Sequence, residues 1–235
     1  MNGLTDNWLR PLFRLIFPRY CAICGNIINP PEDVICSKCN AALPRTRFHQ
    51  WPENSMEKMF WGKFDIRKAA AFIRYAKGGD VALLVKKMKY KGRKDIATGM
   101  GRLMAEEIMH SSDFFDGIDC IVPVPMHPDK QKQRGYNQAL QLALGIAEVT
   151  GIPVEADAVV RPQPAESQTH RSSIDRLVSI KDAFKATDIS RFAGKHVLIV
   201  DDIITTSATI TACADALATA PGIRFSILTL AIAND

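Results

Sequence analysis

Two groups of residues have the types and the spacing to do chemistry. Between Val197 and Thr209 the chain reads V-L-I-V-D-D-I-I-T-T-S-A-T, an apolar run followed by two carboxylates and a cluster of hydroxyls. Asp201 and Asp202 can accept hydrogen bonds from sugar hydroxyls or face a metal-bound group. Thr205, Thr206, Ser207, Ala208 and Thr209 then lead into a helical pattern of Ile210, Cys213, Ala214 and Leu217, which Pro221 and Gly222 stop. The free N–H groups and positive dipole end of such a helix suit a phosphate. Carboxylates for the sugar and a hydroxyl turn for the phosphate together describe a sugar-phosphate site. The second group is C-A-I-C, eleven residues, then C-S-K-C. Each short turn can bring two sulfurs to one metal, so Cys21, Cys24, Cys36 and Cys39 complete a tetrahedral site with no open position. That is a structural zinc site. A segment this small has too little core to fold alone, so metal binding must supply much of its stability.

Around these groups the pattern is that of an α/β domain. Val197 to Val200 show no alternation, as expected of a strand covered on both faces, with the aspartates at its carboxyl end. A strand is expected over Lys68 to Tyr75, then a helix opened by Asp80 with Val81, Leu84, Val85 and Met88 on one face. Lys86 to Lys94 is the densest basic run, either a phosphate-facing cluster or a solvated helix end. A second helix covers about Asp95 to His110. Cys120 to Val124 reads as a short strand closed by prolines, and the loop from Met126 to Gly135 carries His127 and Arg134. The next helix, about Asn137 to Val149, presents Leu140, Leu144 and Ala147, and a short strand follows at Ile152 to Val154. Residues 160–184 form a long polar stretch suited to a lid or binding loop. A last strand runs from Phe225 to Ile232.

This places residues 1–44 in an N-terminal helix and zinc ribbon, 45–67 in a linker packed through Trp51, Phe60, Trp61 and Phe64, and 68–235 in the main domain. Leu9, Leu12, Phe13, Ile16 and Phe17 share a helical face near the start. At 235 residues, 47% hydrophobic and 23% charged, the chain is long enough for a sizeable core. It has no run of eighteen apolar residues, so no membrane span is expected. A net charge of +5 permits nucleic-acid binding without requiring it. Four clustered cysteines, with Cys120 and Cys213 inside apolar runs, suit metal binding in a reducing cytoplasm. Oligomeric state and acceptor substrate stay open.

V-L-I-V-D-D-I-I-T-T-S-A-T resembles the phosphoribosyl pyrophosphate (PRPP) motif of type I phosphoribosyltransferases, with Ser207 where that family usually has Gly. By that resemblance Asp201 and Asp202 face the ribose hydroxyls and Thr205 to Thr209 wrap the 5′-phosphate, with Mg²⁺ arriving alongside PRPP. Over nearly its whole length the chain resembles the ComF family, including its GntX group. The matching pieces are L-I-F-P-R-Y-C-A-I-C-G, K-M-K-Y-K-G-R-K-D-I-A, V-P-V-P-M-H-P-D-K-Q-K-Q-R-G-Y-N-Q-A and S-Q-T-H-R-S-S-I-D-R. The resemblance implies a type I phosphoribosyltransferase-like parallel sheet flanked by helices, with a four-Cys zinc ribbon ahead of it. It also implies an association with natural competence and DNA uptake, with single-stranded DNA or a competence protein as partner. The pyrophosphate is then expected on His127, Arg134 and Arg171. Two functions follow from different classes: a phosphoribosyl transferase, or a non-catalytic binding module that keeps the fold.

Overall fold

The computed structural model describes residues 18–90, 92–162 and 183–233. The expected N-terminal helical face and the polar stretch holding Arg171 lie outside the described residues. The chain divides into two compact units at Leu43 and Pro44.

The first unit carries a two-stranded antiparallel ribbon, β1 (Arg19–Tyr20) and β2 (Ile27–Ile28), and a short helix α1 (Ser37–Ala42). Its turns are made by the cysteine pairs themselves. Gly25 donates its N–H to Cys21 O at 3.0 Å with φ of +79°, a left-handed value at which glycine carries no Cβ penalty. Cys36 is the N-cap of α1, its sulfur accepting from the Cys39 N–H at 3.4 Å.

The second unit opens with a 3₁₀ turn (Phe48–Gln50) and a short helix α2 (Ser55–Lys58), both pinned to the sheet by Asn54. The Asn54 side-chain amide donates to Ala69 O at 2.9 Å and Trp51 O at 3.0 Å, while its oxygen accepts from the Met56 and Glu57 N–H groups. Next come β3 (Ile66–Tyr75), α3 (Asp80–Tyr90), α4 (Lys94–Ser111), β4 (Cys120–Pro123), α5 (Pro128–Arg134) and α6 (Gln138–Thr150). A small ribbon of β5 (Val159–Val160) and β6 (Lys185–Ala186) precedes β7 (His196–Ile204), α7 (Ala208–Leu217) and β8 (Arg224–Ala233).

The main sheet is parallel with order β3-β8-β7-β4, and Val154 adds an isolated parallel bridge to Ile121 at its edge. Burial on both faces explains the missing alternation: Val197, Leu198, Ile199 and Val200 are all fully buried. Val197 and Ile199 join Ile210, Cys213, Ala214 and Leu217 of α7 in one core cluster. By strand alternation Leu198 and Val200 face the opposite layer, where α6 packs on β4 and β7.

Three expectations are corrected. The segment read as a loop after β4 contains α5, because Pro128 can open a helix and the His127 ring accepts from the Asp129 N–H at 3.3 Å to cap it. The buried face of α6 is Ala139, Leu142, Ala143 and Ile146, whereas Leu144 is exposed. The reason is a close crossing of α4 and α6. A Cβ on Gly101 would lie 2.2 Å from Leu142 O, and one on Gly145 would lie 2.0 Å from Thr98 O. Two glycines let the backbones touch, and that contact sets the rotation of α6. Finally, Phe60 is buried and Phe64 packs against the core, but Trp51 and Trp61 are 62% and 49% exposed.

Candidate functional site

Strand β7 runs four residues past its apolar stretch, so Asp201 and Asp202 sit within the paired strand near its carboxyl end. Asp201 pairs in register with Thr229 of β8. Strand alternation starts the two side chains on opposite faces, yet their carboxyl groups remain within hydrogen-bond reach of each other. Asp201 shares the face of α7. Burial, and next the Asp202 charge, push its carboxyl up to about 8, and Asp201 in turn helps to push the buried Cys213 thiol up, after burial itself. Asp202 pairs with Lys89 of α3, Nζ to Oδ2 at 3.2 Å, with both side chains mostly buried. Each carboxylate also accepts from the next backbone N–H: Asp202 N–H to Asp201 at 2.8 Å and Ile203 N–H to Asp202 at 2.7 Å.

Beyond Ile204 the chain turns through Thr205 and Thr206 into Ser207 and α7. Thr205, Thr206, Ala208 and Thr209 are exposed. Ser207 has φ of −70° and ψ of −11°, ordinary right-handed backbone that any residue adopts, so serine carries no conformational cost there. Its hydroxyl accepts a hydrogen bond from Lys63 Nζ. The first turn of α7 holds no acidic residue, and N–H groups of a first helical turn lack intrahelical partners. The arrangement can therefore receive an anion at the turn and hydroxyls or a cation at the carboxylates.

His127 caps α5 and Arg134 is its last residue, on the segment leaving the same end of the sheet, where Val124 N–H donates to Val200 O at 2.9 Å. Asn137 fixes this exit by donating to Val124 O at 3.0 Å and capping α6 through the Ala139 N–H. His127 Nδ1 accepts from Asp129 N–H at 3.3 Å and lies 3.4 Å from Asp129 Oδ2. Arg134 donates to Gln138 Oε1 at 3.1 Å. The remaining candidate, Arg171, lies outside the described residues.

Two lysines escaped the motif reading. Lys89 sits in the basic run, where nothing in the sequence separates it from its neighbours. What singles it out is Tyr136, buried between segments, whose hydroxyl donates to Met88 O with Arg93 O 3.2 Å away. That tie holds the end of α3, and Lys89 with it, against the turn between α5 and α6. Lys63 lies in the aperiodic stretch before β3, and only the fold brings it to Ser207.

In the first unit the four cysteine sulfurs all lie within 4.8 Å of one another. Cys24 and Cys36 sulfurs are 3.8 Å apart, close to the edge of about 3.8 Å that a tetrahedron with Zn–S bonds of about 2.3 Å requires. Burial raises the Cys21 thiol, but the N–H groups of Cys36, Cys24 and Ile23 outweigh it and bring it down to about 6, favouring the thiolate that a metal needs. The donor set fits one closed metal site.

Among known proteins, the phosphoribosyl transferase domain model matches residues 93–232. DNA utilization protein YhgH of Salmonella typhimurium is 30% identical over 139 residues, covering 58% of this chain and 60% of that protein's length. The Escherichia coli K12 protein of the same name is 26% identical over 200 residues, 84% of this chain and 83% of that one. Competence protein F of Haemophilus influenzae is 36% identical over 93 residues, 39% of this chain and 41% of that one. These names bear out the ComF resemblance. Among solved structures, glutamine PRPP amidotransferase from B. subtilis, complexed with ADP and GMP, aligns at 20% identity with a TM-score of 0.39, over 60% of this chain and 30% of that one.

Proposed function

The chain belongs to the phosphoribosyl transferase domain family, and on that premise we propose that it binds PRPP at the carboxyl end of β7 and transfers its phosphoribosyl group. The observation that carries this reading is the exposed hydroxyl turn Thr205–Thr209, which opens α7 directly beyond Asp201 and Asp202. The turn and the head of α7 take the 5′-phosphate through backbone N–H groups and hydroxyls. The carboxylates accept from the ribose hydroxyls, and Lys89 supplies a cation beside them. His127 and Arg134, with Arg171, are assigned to the pyrophosphate.

In the reaction a nucleophile attacks C1 of the ribose, the C1–O bond to pyrophosphate breaks, and the electron pair leaves with pyrophosphate. The carbon is cation-like at the top of the barrier, so these residues act by orienting the sugar and neutralising the leaving group. Mg²⁺, when bound with PRPP, supplies further charge neutralisation, and the oxygen donors of Asp201 and Asp202 are of the chemistry it takes. In this reading zinc on Cys21, Cys24, Cys36 and Cys39 is structural, and cysteines kept as thiols for a metal suit a reducing cytoplasm. Calorimetry with PRPP and Mg²⁺ tests the reading: binding in wild type and its loss in the Asp201→Asn/Asp202→Asn double variant are expected. No heat at millimolar PRPP sinks it.

A second reading, a DNA-handling module, rests on different observations. Trp51 and Trp61 are exposed, Lys58 Nζ stands 5.7 Å from the Trp61 ring centre, and the relatives carry DNA utilization and competence names. Exposed rings beside cations suit stacking of unpaired bases. Single-stranded DNA affinity should fall steeply with salt and weaken in Trp51→Ala/Trp61→Ala. Affinity indifferent to both would leave the transferase reading alone.

A further inference from the structure

We propose that Lys63, from the segment ahead of the matched domain, completes the phosphate site by neutralising the 5′-phosphate of the sugar phosphate. This rests on the sugar-phosphate reading of the turn and adds to it a residue that neither the motif nor the domain match at 93–232 contains.

Lys63 belongs to a segment whose backbone is held in place. Its N–H donates to Phe60 O at 3.1 Å, and Phe60 is fully buried. On its other side Phe64 packs between Phe60 and Phe225, with ring centres 5.7 Å and 5.2 Å apart, and Phe225 N–H donates to Asp65 O at 2.9 Å. From this anchored backbone the exposed side chain reaches across to the Ser207 hydroxyl. Among the described residues its other neighbour is the Phe60 ring face, 5.9 Å from Nζ, and no carboxylate lies within ion-pair distance.

The electrostatics of this placement point to an anion. An ammonium at the head of a helix meets the positive end of the dipole, the end that repels it. α7 runs ten residues, and its first turn has no acidic side chain to offset the mismatch. A lysine and a helix N-terminus therefore meet at Ser207, in a turn that also carries the exposed Thr205, Thr206 and Thr209 and no acidic side chain. A phosphate dianion satisfies all of them at once. The ammonium uses one of its three N–H groups on Ser207 and keeps two for phosphate oxygens. Ser207 also gains a purpose: its right-handed backbone does not need glycine, and its hydroxyl parks the lysine beside the turn.

The test is calorimetry of the full chain with ribose 5-phosphate and, separately, with inorganic pyrophosphate, on wild type, Lys63→Ala and Lys63→Arg. Lys63→Ala should weaken ribose 5-phosphate about tenfold, the size of one lost charge-assisted hydrogen bond. Pyrophosphate binding should be unchanged, and Lys63→Arg should restore most of the loss. Because Lys63 is exposed, the thermal transition of Lys63→Ala should match wild type. If wild type binds both ligands and Lys63→Ala binds ribose 5-phosphate equally well, the inference falls and the pocket stands. Equal weakening toward both ligands also overturns it, since the effect would then be general charge. If wild type binds neither ligand, the sugar-phosphate reading falls and takes the inference with it.

Discussion

The cysteine cluster and the carboxylate–hydroxyl site are built on opposite plans. All four sulfurs come from Cys21 to Cys39, two turns of fixed geometry, and neighbouring N–H groups favour the thiolate of Cys21. The second site collects Asp201, Asp202 and the 205–209 turn from one stretch, Lys89 from a helix end and Lys63 from a segment 144 residues before Ser207. A metal can organise a short segment because bond strength substitutes for a core. An anion site made of hydrogen bonds and a dipole needs a packed scaffold to hold its parts still. Local chemistry therefore carries the first site, and tertiary packing the second.

The contrast breaks most visibly by removing the metal or one ligand. Cys36→Ser, or chelation, should drop bound zinc from about one per chain to none and abolish amide-exchange protection across the first unit. That loss is nearly all of the unit's stability. Protection within β7 and β8 should persist, and protection of the first unit surviving chelation would overturn the metal-dependent picture.

Next in size is Gly145→Ala, whose new methyl would stand 2.0 Å from the Thr98 carbonyl oxygen. Forcing α4 and α6 apart should cost about 1–3 kcal/mol in urea unfolding of the second unit, without changing zinc content. A neutral effect would mean the crossing is not as close as described.

Asp201 sharpens the comparison through pH. Its folded carboxyl is raised from an ordinary 3.8 to about 8, burial first and Asp202 second. Between about pH 4 and pH 8 the folded chain holds a proton that the unfolded chain has released, so this group lowers stability as pH rises. Wild type should lose up to about 1.4 kcal/mol per pH unit relative to Asp201→Asn across that window. Parallel pH profiles would show that Asp201 is ionised in the fold. The smallest effect belongs to Trp61→Ala: with half the ring already in water, thermal stability should move by less than about 0.5 kcal/mol. A larger loss would put that ring back among the packing residues.

Much of this is legible in the sequence itself. The β7 apolar run, the α3 face of Val81, Leu84, Val85 and Met88, and the cysteine knuckles follow from local pattern, because periodicity and turn chemistry are properties of a few consecutive residues. The α6 face was misread because Ala139, Leu142, Ala143 and Ile146 fit the same period as the stripe that includes Leu144. Choosing between two stripes depends on where α4 lies, and only Gly101 and Gly145 hint at that. The α5 helix was hidden by a run of polar residues with no apolar stripe, although Pro128 after a capping His127 was the available signal.

For the candidate site the sequence by itself determined the chemical inventory: two carboxylates, a hydroxyl turn, a following helix and four cysteines. Only the tertiary structure decided that Lys89 answers one of the carboxylates and that Lys63 reaches Ser207. The physical reason is range. Strand alternation and helix capping act within a few residues, whereas the placement of a distant ammonium depends on every packed side chain that fixes the segment carrying it.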